Sequence, residues 1–94
     1  MDKRITDLLD LLGIPNIESE KIDDYQVFHL EDYDLFNQIY NKLERNIEVE
    51  RDSDSSSLNE EDTHITYIYK DLLIELVGIF DEDDYTLNIY LKED

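Results

Sequence analysis

Cysteine and tryptophan are absent from the 94-residue sequence, proline occurs once, glycine twice, and Lys and Arg together number only 8. Each shortage excludes a class of chemistry. Without cysteine there is neither a disulfide framework nor a thiolate metal site. With Gly13 and Gly78 as the only glycines, no glycine-rich loop exists to cradle a phosphate. Nowhere do apolar residues run for the roughly 18 positions that a bilayer-crossing helix needs. The opening "MDKRITDLLDLLGIPN" is interrupted by Asp7 and Asp10, so it is not expected to act as a signal peptide, and a reducing cytoplasm is the expected setting. So few cations also argue against nucleic acid or an anionic membrane as the direct partner, because both are bound through Lys and Arg.

What the sequence holds instead is acid. Asp and Glu number 26, which gives a formal net charge of −18. Such an excess accompanies either disorder or a specialised surface. Seven tyrosines, three phenylalanines and periodic Ile and Leu exclude disorder, because they can build a core. The length suits one domain spanning 1–94, with an expected radius of gyration of about 12 Å. The acids must then lie on its surface, where self-repulsion works against the fold.

Hydrophobic spacing predicts the elements. Ile5, Leu8, Leu9 and Leu12 fall on one helical face, so a helix is expected over 3–12, with Asp2 at its start, Gly13 at its left-handed end and Pro15 preventing continuation. "NIESEKIDD" reads as a polar connection and "YQVFHL" (25–30) as a strand. A second helix is expected over 33–45 from Phe36, Ile39, Tyr40 and Leu43, with Asp32 as N-cap and Asn46 beyond its end. The period then changes to two. "IEVER", "HITYIYK", "LLIELVGIF" and "YTLNIYL" predict four strands, the first pointing Ile47, Val49 and Arg51 to one side and Glu48 and Glu50 to the other. Between the first two lies "DSDSSSLNEED" (52–62), expected to be a mobile acidic loop. The fold class is α+β: an antiparallel four-stranded meander, with a fifth strand as the variant, and two short helices packed on one face.

Catalytic and metal-binding arrangements find little support. Asp52, Asp54 and Ser56 match the first three ligand positions of a calcium-binding EF-hand loop, but Ser57 replaces the required glycine and Thr63 the bidentate glutamate. The tetrad Asp81, Glu82, Asp83 and Asp84 is contiguous, whereas two-metal sites assemble carboxylates from separate elements. The serines lie in two loops, and His29 and His64 lack a partner at any recognisable spacing, so nucleophilic catalysis is not indicated. Neither an enzyme, a metal nor a cofactor is expected. Tyr67, Tyr69, Tyr85 and Tyr90 sit at strand spacing as sheet residues, and any tyrosine on an exposed face would make an interface anchor.

The acids are unevenly placed. Residues 1–47 carry 11 acids and 5 bases, and residues 48–94 carry 15 acids and 3 bases. The predicted partner-binding residues are therefore Glu48, Glu50, Asp52, Asp54, Glu60, Glu61, Asp62, Asp81, Glu82, Asp83 and Asp84. The sign of their charge points to a basic protein surface. The acid-rich 48–62 segment, the 81–84 tetrad and the ending "YLKED" give the chain a compositional resemblance to small phage-encoded inhibitors that mimic nucleic acid, among them anti-CRISPR proteins and uracil-DNA glycosylase inhibitors. That resemblance implies a non-enzymatic inhibitor, a monomer or homodimer, that occupies the basic nucleic-acid groove of a nuclease such as a CRISPR effector, or of another host-defence protein. An immunity protein that neutralises a basic toxin, and an acidic structural or regulatory interaction module, are the alternative readings.

Overall fold

A computed structural model describes residues 2–14 and 17–91. Helix α1 spans Lys3–Leu12 and buries Ile5, Leu8, Leu9 and Leu12, the face set by the spacing. The Asp2 carboxylate accepts from the Arg4 N–H at its start, and Gly13 closes it at φ 77°, a left-handed value that favours glycine. Pro15 lies outside the described residues. Helix α2 spans Tyr33–Arg45 and buries Phe36, Ile39 and Leu43, with Asp32 accepting from the Leu35 N–H as N-cap. Asn46 is extended rather than left-handed, and its side chain accepts from the Glu48 N–H at 2.9 Å. The Lys42 ammonium donates to the Leu12 carbonyl at 3.0 Å, so α2 caps the C-terminus of α1.

Among the described residues, six strands form one sheet: β1 Glu20–Ile22, β2 Tyr25–Leu30, β3 Glu50–Leu58, β4 Asp62–Tyr69, β5 Leu72–Ile79 and β6 Asp84–Leu91. Their spatial order is β1-β2-β6-β5-β4-β3, and every neighbouring pair is antiparallel. The last four strands make the expected meander, and β2 adds to β6 at its other side. The expectation of four or five strands is corrected to six by β1. That strand is three residues, none of them buried, joined to β2 through Asp23 at φ 50°, so it carries no hydrophobic alternation to announce it.

The larger correction concerns 52–62. Most of this predicted loop is strand, and β3 runs from Glu50 through Leu58. The hydroxyls of Ser56 and Thr66 hold it. The pairing shifts between Asp52 and Ser57, where the Ser56 hydroxyl donates to the Asp52 carbonyl at 2.6 Å and accepts from the Thr66 N–H at 3.1 Å. The Thr66 hydroxyl donates to the Ser55 carbonyl at 3.1 Å. Side-chain oxygens thus bridge a bulge that backbone groups alone would leave open. The strand also begins later than expected: Ile47 is 99% exposed and Glu48 precedes β3.

Both helices cover the same sheet face. Phe28, Leu30, Ile65, Tyr67, Tyr69, Leu72, Ile74, Leu76, Tyr85, Leu87 and Ile89 join the helical apolar residues in one core. Gly78 belongs to this face because the Phe36 ring lies over it, 3.0 Å from where a Cβ would stand. Phe36 packs in turn against Tyr33, Phe80 and Tyr85, with ring centroids 5.3–6.1 Å apart. The Cα radius of gyration is 12.4 Å.

Candidate functional site: an acidic sheet end and an open sheet face

Two turns far apart in sequence meet at one end of the sheet. Between β3 and β4, the Asn59 side-chain oxygen accepts from the N–H groups of Glu61 and Asp62 at 3.0 and 2.8 Å, and its amide donates to the Asp62 carboxylate at 2.8 Å. Between β5 and β6, a 3-10 turn over Phe80–Glu82 leads into Asp83, left-handed at φ 53°. The Phe80 N–H donates to the Glu61 carbonyl at 3.1 Å and joins the two turns. Asp62 and Asp84 both pair in register with Ile79, from opposite sides. Glu60, Glu61, Asp62, Asp81, Glu82, Asp83 and Asp84 therefore share one end, and all are exposed. The Tyr85 hydroxyl donates to Asp83 at 2.9 Å; burial first, then this carboxylate, pushes that hydroxyl above its usual range.

The other four predicted residues lie elsewhere. Glu50 and Asp52 face Ile68 and Thr66 on the outer strand, and Asp54 lies in the bulge. Glu48 sits beyond the opposite end, near Lys70, whose ammonium is held above its ordinary range by Tyr69 first and by Glu48 among lesser neighbours. Glu48 and Glu50 are thus not a strand-spaced pair. The EF-hand comparison fails structurally as well, since Asp52 and Ser56 are bonded to each other and to β4 as strand. Among the described residues, no three His, Asp or Glu side chains are grouped to hold a metal ion.

The sheet face away from the helices is uncovered by any described element, and the register lays it out as rows. Ile22, Tyr25, Tyr90, Leu73 and Ile68 are successive cross-strand partners, ending at Glu50 on β3. At the ~4.8 Å strand spacing this apolar row is about 19 Å long. The Tyr25 and Tyr90 rings stack with centroids 4.6 Å apart. The next row reads Glu20, Val27, Asn88, Glu75, Thr66 and Asp52. His29, Thr86, Val77 and His64 follow, and then Asp84, Ile79 and Asp62. Among the described strand residues, this face carries six carboxylates and no Lys or Arg.

Glu75 stands near its centre, with a side chain 21% exposed and an oxygen 2.5 Å from the His64 Nε2. Burial first, and then the Glu75 carboxylate, pushes the Tyr90 hydroxyl up to about 12. His29 lies 3.8 Å from Glu20 at the face's edge. The sequence marks Glu75, alone in its apolar run, as lying on the wetter face of that strand, but it singles out neither Tyr25 nor Glu20. Leu73, Glu75, Val77 and Ile79 do alternate with core residues along β5, but the row emerges only once strand order is known.

Fold and surface together define an α+β protein with helices on one sheet face, an open mixed face opposite, and a concentrated acidic end. No family model matches the chain, and no curated protein or solved structure matches it.

Proposed function

We propose that this chain is a non-enzymatic acidic inhibitor that binds the basic nucleic-acid-binding surface of a nuclease or other host-defence protein in the cytoplasm and blocks substrate access. The observation that carries this reading is the meeting of the two acidic turns, seven carboxylates joined through the Phe80–Glu61 hydrogen bond. Asp62 and Asp84, two strands apart on either side of Ile79, are separated by about 10 Å at the usual strand spacing, and their neighbours in the turns fill the interval. A nucleic-acid strand presents a charge about every 3.4 Å. Carboxylates fixed by strand ends and by ordered turns can engage a phosphate-binding channel without the ordering cost that a disordered acidic tail would meet.

Competition tests this. Nucleases, CRISPR effectors among them, are assayed for cleavage of labelled duplex DNA with and without the chain. The expected result is inhibition of at least one, relieved as the concentration of the labelled duplex itself is raised or, for an RNA-guided nuclease, by excess guide RNA. An inhibited nuclease that binds chain and nucleic acid together at full affinity would exclude mimicry and favour an immunity-type inhibitor that docks beside the channel.

A further inference from the structure

The open face is chemically unlike the acidic end. Its apolar row is one residue wide, contains the Tyr25–Tyr90 stack, and is bordered on one side by Glu20, Glu75 and Asp52. On its other side lie the turns holding Asp23, Asp24 and Asp71, with Lys70 beside Asp71 in its turn and the Arg4 guanidinium of α1 3.6 Å from the Asp71 carboxylate. A second copy of the chain would set six carboxylates against six, and nucleic acid or an anionic membrane is repelled by the same sign. Charge complementarity therefore selects a cationic protein partner. The aromatic pair narrows the choice further. A group that seats here must lay an apolar stem along Ile22, Leu73 or Ile68, cover a tyrosine ring, and reach a carboxylate one row away. Lysine carries a compact, strongly hydrated charge that loses much on leaving water. Arginine has a planar, weakly hydrated head that stacks on aromatic rings and grips a carboxylate with two N–H groups at once.

We propose that the open sheet face binds arginine side chains of the partner protein, with guanidinium groups over the Tyr25–Tyr90 pair and against Glu75 and Glu20, and that it selects arginine over lysine. This rests on the reading of the chain as a binder of basic proteins, and it specifies the partner surface as arginine-rich. Glu20 and Glu75 stand three strands apart in their row, about 14 Å, so two arginines of the partner are accommodated at once.

The probes are two capped peptides of equal length and charge, one alternating arginine with glycine and the other lysine with glycine. Each is titrated into the full chain at physiological salt and followed by calorimetry and backbone amide NMR shifts. The arginine peptide is expected to bind about fivefold more tightly, the ratio of a cation–π contact worth ~1 kcal/mol. Its largest shifts should fall on β2, β5 and β6. In Tyr25→Leu/Tyr90→Leu, which keeps the row apolar, the ratio should approach one. Glu75→Gln should weaken the arginine peptide more than the lysine peptide. Asp81→Asn/Asp83→Asn/Asp84→Asn should weaken both alike and leave the ratio standing. Equal affinities in the unaltered chain, a measurement independent of any variant's folding, would overturn the proposal, as would a ratio that survives loss of both tyrosines. Either result alongside nuclease inhibition relieved by DNA removes the arginine site and leaves the inhibitor reading intact. Arginine selectivity in a chain that inhibits no nuclease removes that reading and leaves the site.

Discussion

The Tyr67 hydroxyl donates a 2.7 Å hydrogen bond to the Glu44 carboxylate, joining β4 to the last turn of α2. Arg51 on β3 grips the same carboxylate with Nε at 2.9 Å and Nη2 at 2.6 Å, so one acid ties helix, inner strand and edge strand together. Tyr67 is 1% exposed. Tyr67→Phe removes a hydrogen bond to a charged acceptor but leaves that acceptor paired with Arg51, and should cost about 1–2 kcal/mol in urea unfolding. Glu44→Ala leaves the tyrosine hydroxyl buried without its acceptor and frees Arg51, and should cost more, about 2–3 kcal/mol. A smaller loss for Glu44→Ala than for Tyr67→Phe would show that the network does not hold the edge strand.

Alkaline pH should unfold the protein. Tyr67, Tyr85 and Tyr90 all have hydroxyls raised above 10.0, each by burial first and by a neighbouring carboxylate second: Glu44, Asp83 and Glu75. A raised folded value means the native state holds its proton more tightly than the unfolded chain does. The stabilisation is therefore complete below pH 10 and is lost as pH rises through the folded values, for Tyr90 between 10 and about 12. Tyrosinate absorbance should show Tyr67, Tyr85 and Tyr90 ionising above 10.0, with their ionisation coincident with loss of the circular dichroism signal. Ionisation of Tyr67, Tyr85 and Tyr90 at 10.0 with the fold intact would contradict this.

Gly78 tests the aromatic end of the core. An added Cβ would meet Phe36 at 3.0 Å and Phe80 at 3.3 Å, and Phe36 has little room to retreat because Tyr33 and Tyr85 also hold it. Gly78→Ala ordinarily gains roughly 0.4–1 kcal/mol through the unfolded chain. Here overpacking of ~1–3 kcal/mol opposes it, so the net effect should be destabilising by about 1 kcal/mol. A raised melting temperature would mean that the ring yields freely.

Where the chain bears dense apolar periodicity, its structure was legible beforehand. Both helices, their N-caps at Asp2 and Asp32, and strand 25–30 lie where spacing put them, because each buries a continuous stripe against one core. The edge strands were not legible for the opposite reason. β1 has no buried residue, and β3 from Asp52 onward is held by the Ser56 and Thr66 hydroxyls rather than by buried side chains, so polarity there read as loop. The polarity of the acids in the two turns accounts for their exposure, but their meeting depends on the Phe80–Glu61 contact between turns some twenty residues apart. The open-face row depends on β2 joining β6, a long-range pairing that no local pattern encodes.

The acidic end should act through steering. Asp81 and Asp84 are exposed, and Asp83 at φ 53° accepts from the Tyr85 hydroxyl through one carboxylate oxygen. Asparagine tolerates that backbone and supplies an equivalent oxygen, so Asp81→Asn/Asp83→Asn/Asp84→Asn should fold normally. The triple change takes the net charge from −18 to −15 and relieves repulsion between adjacent turns. The free variant should therefore be more stable than the parent at low ionic strength. The difference should shrink at about 0.3 M salt, where the Debye length is well under 10 Å. Toward an inhibited nuclease, each single change should weaken binding by only ~0.5–1 kcal/mol, the scale of a solvent-exposed ion pair. The triple variant should lose mainly association rate, with a flatter salt dependence and a dissociation rate close to the parent's. Stopped-flow association across a salt series separates these quantities. An unchanged association rate with accelerated dissociation would mean that these carboxylates make desolvated contacts at the interface rather than guiding the approach.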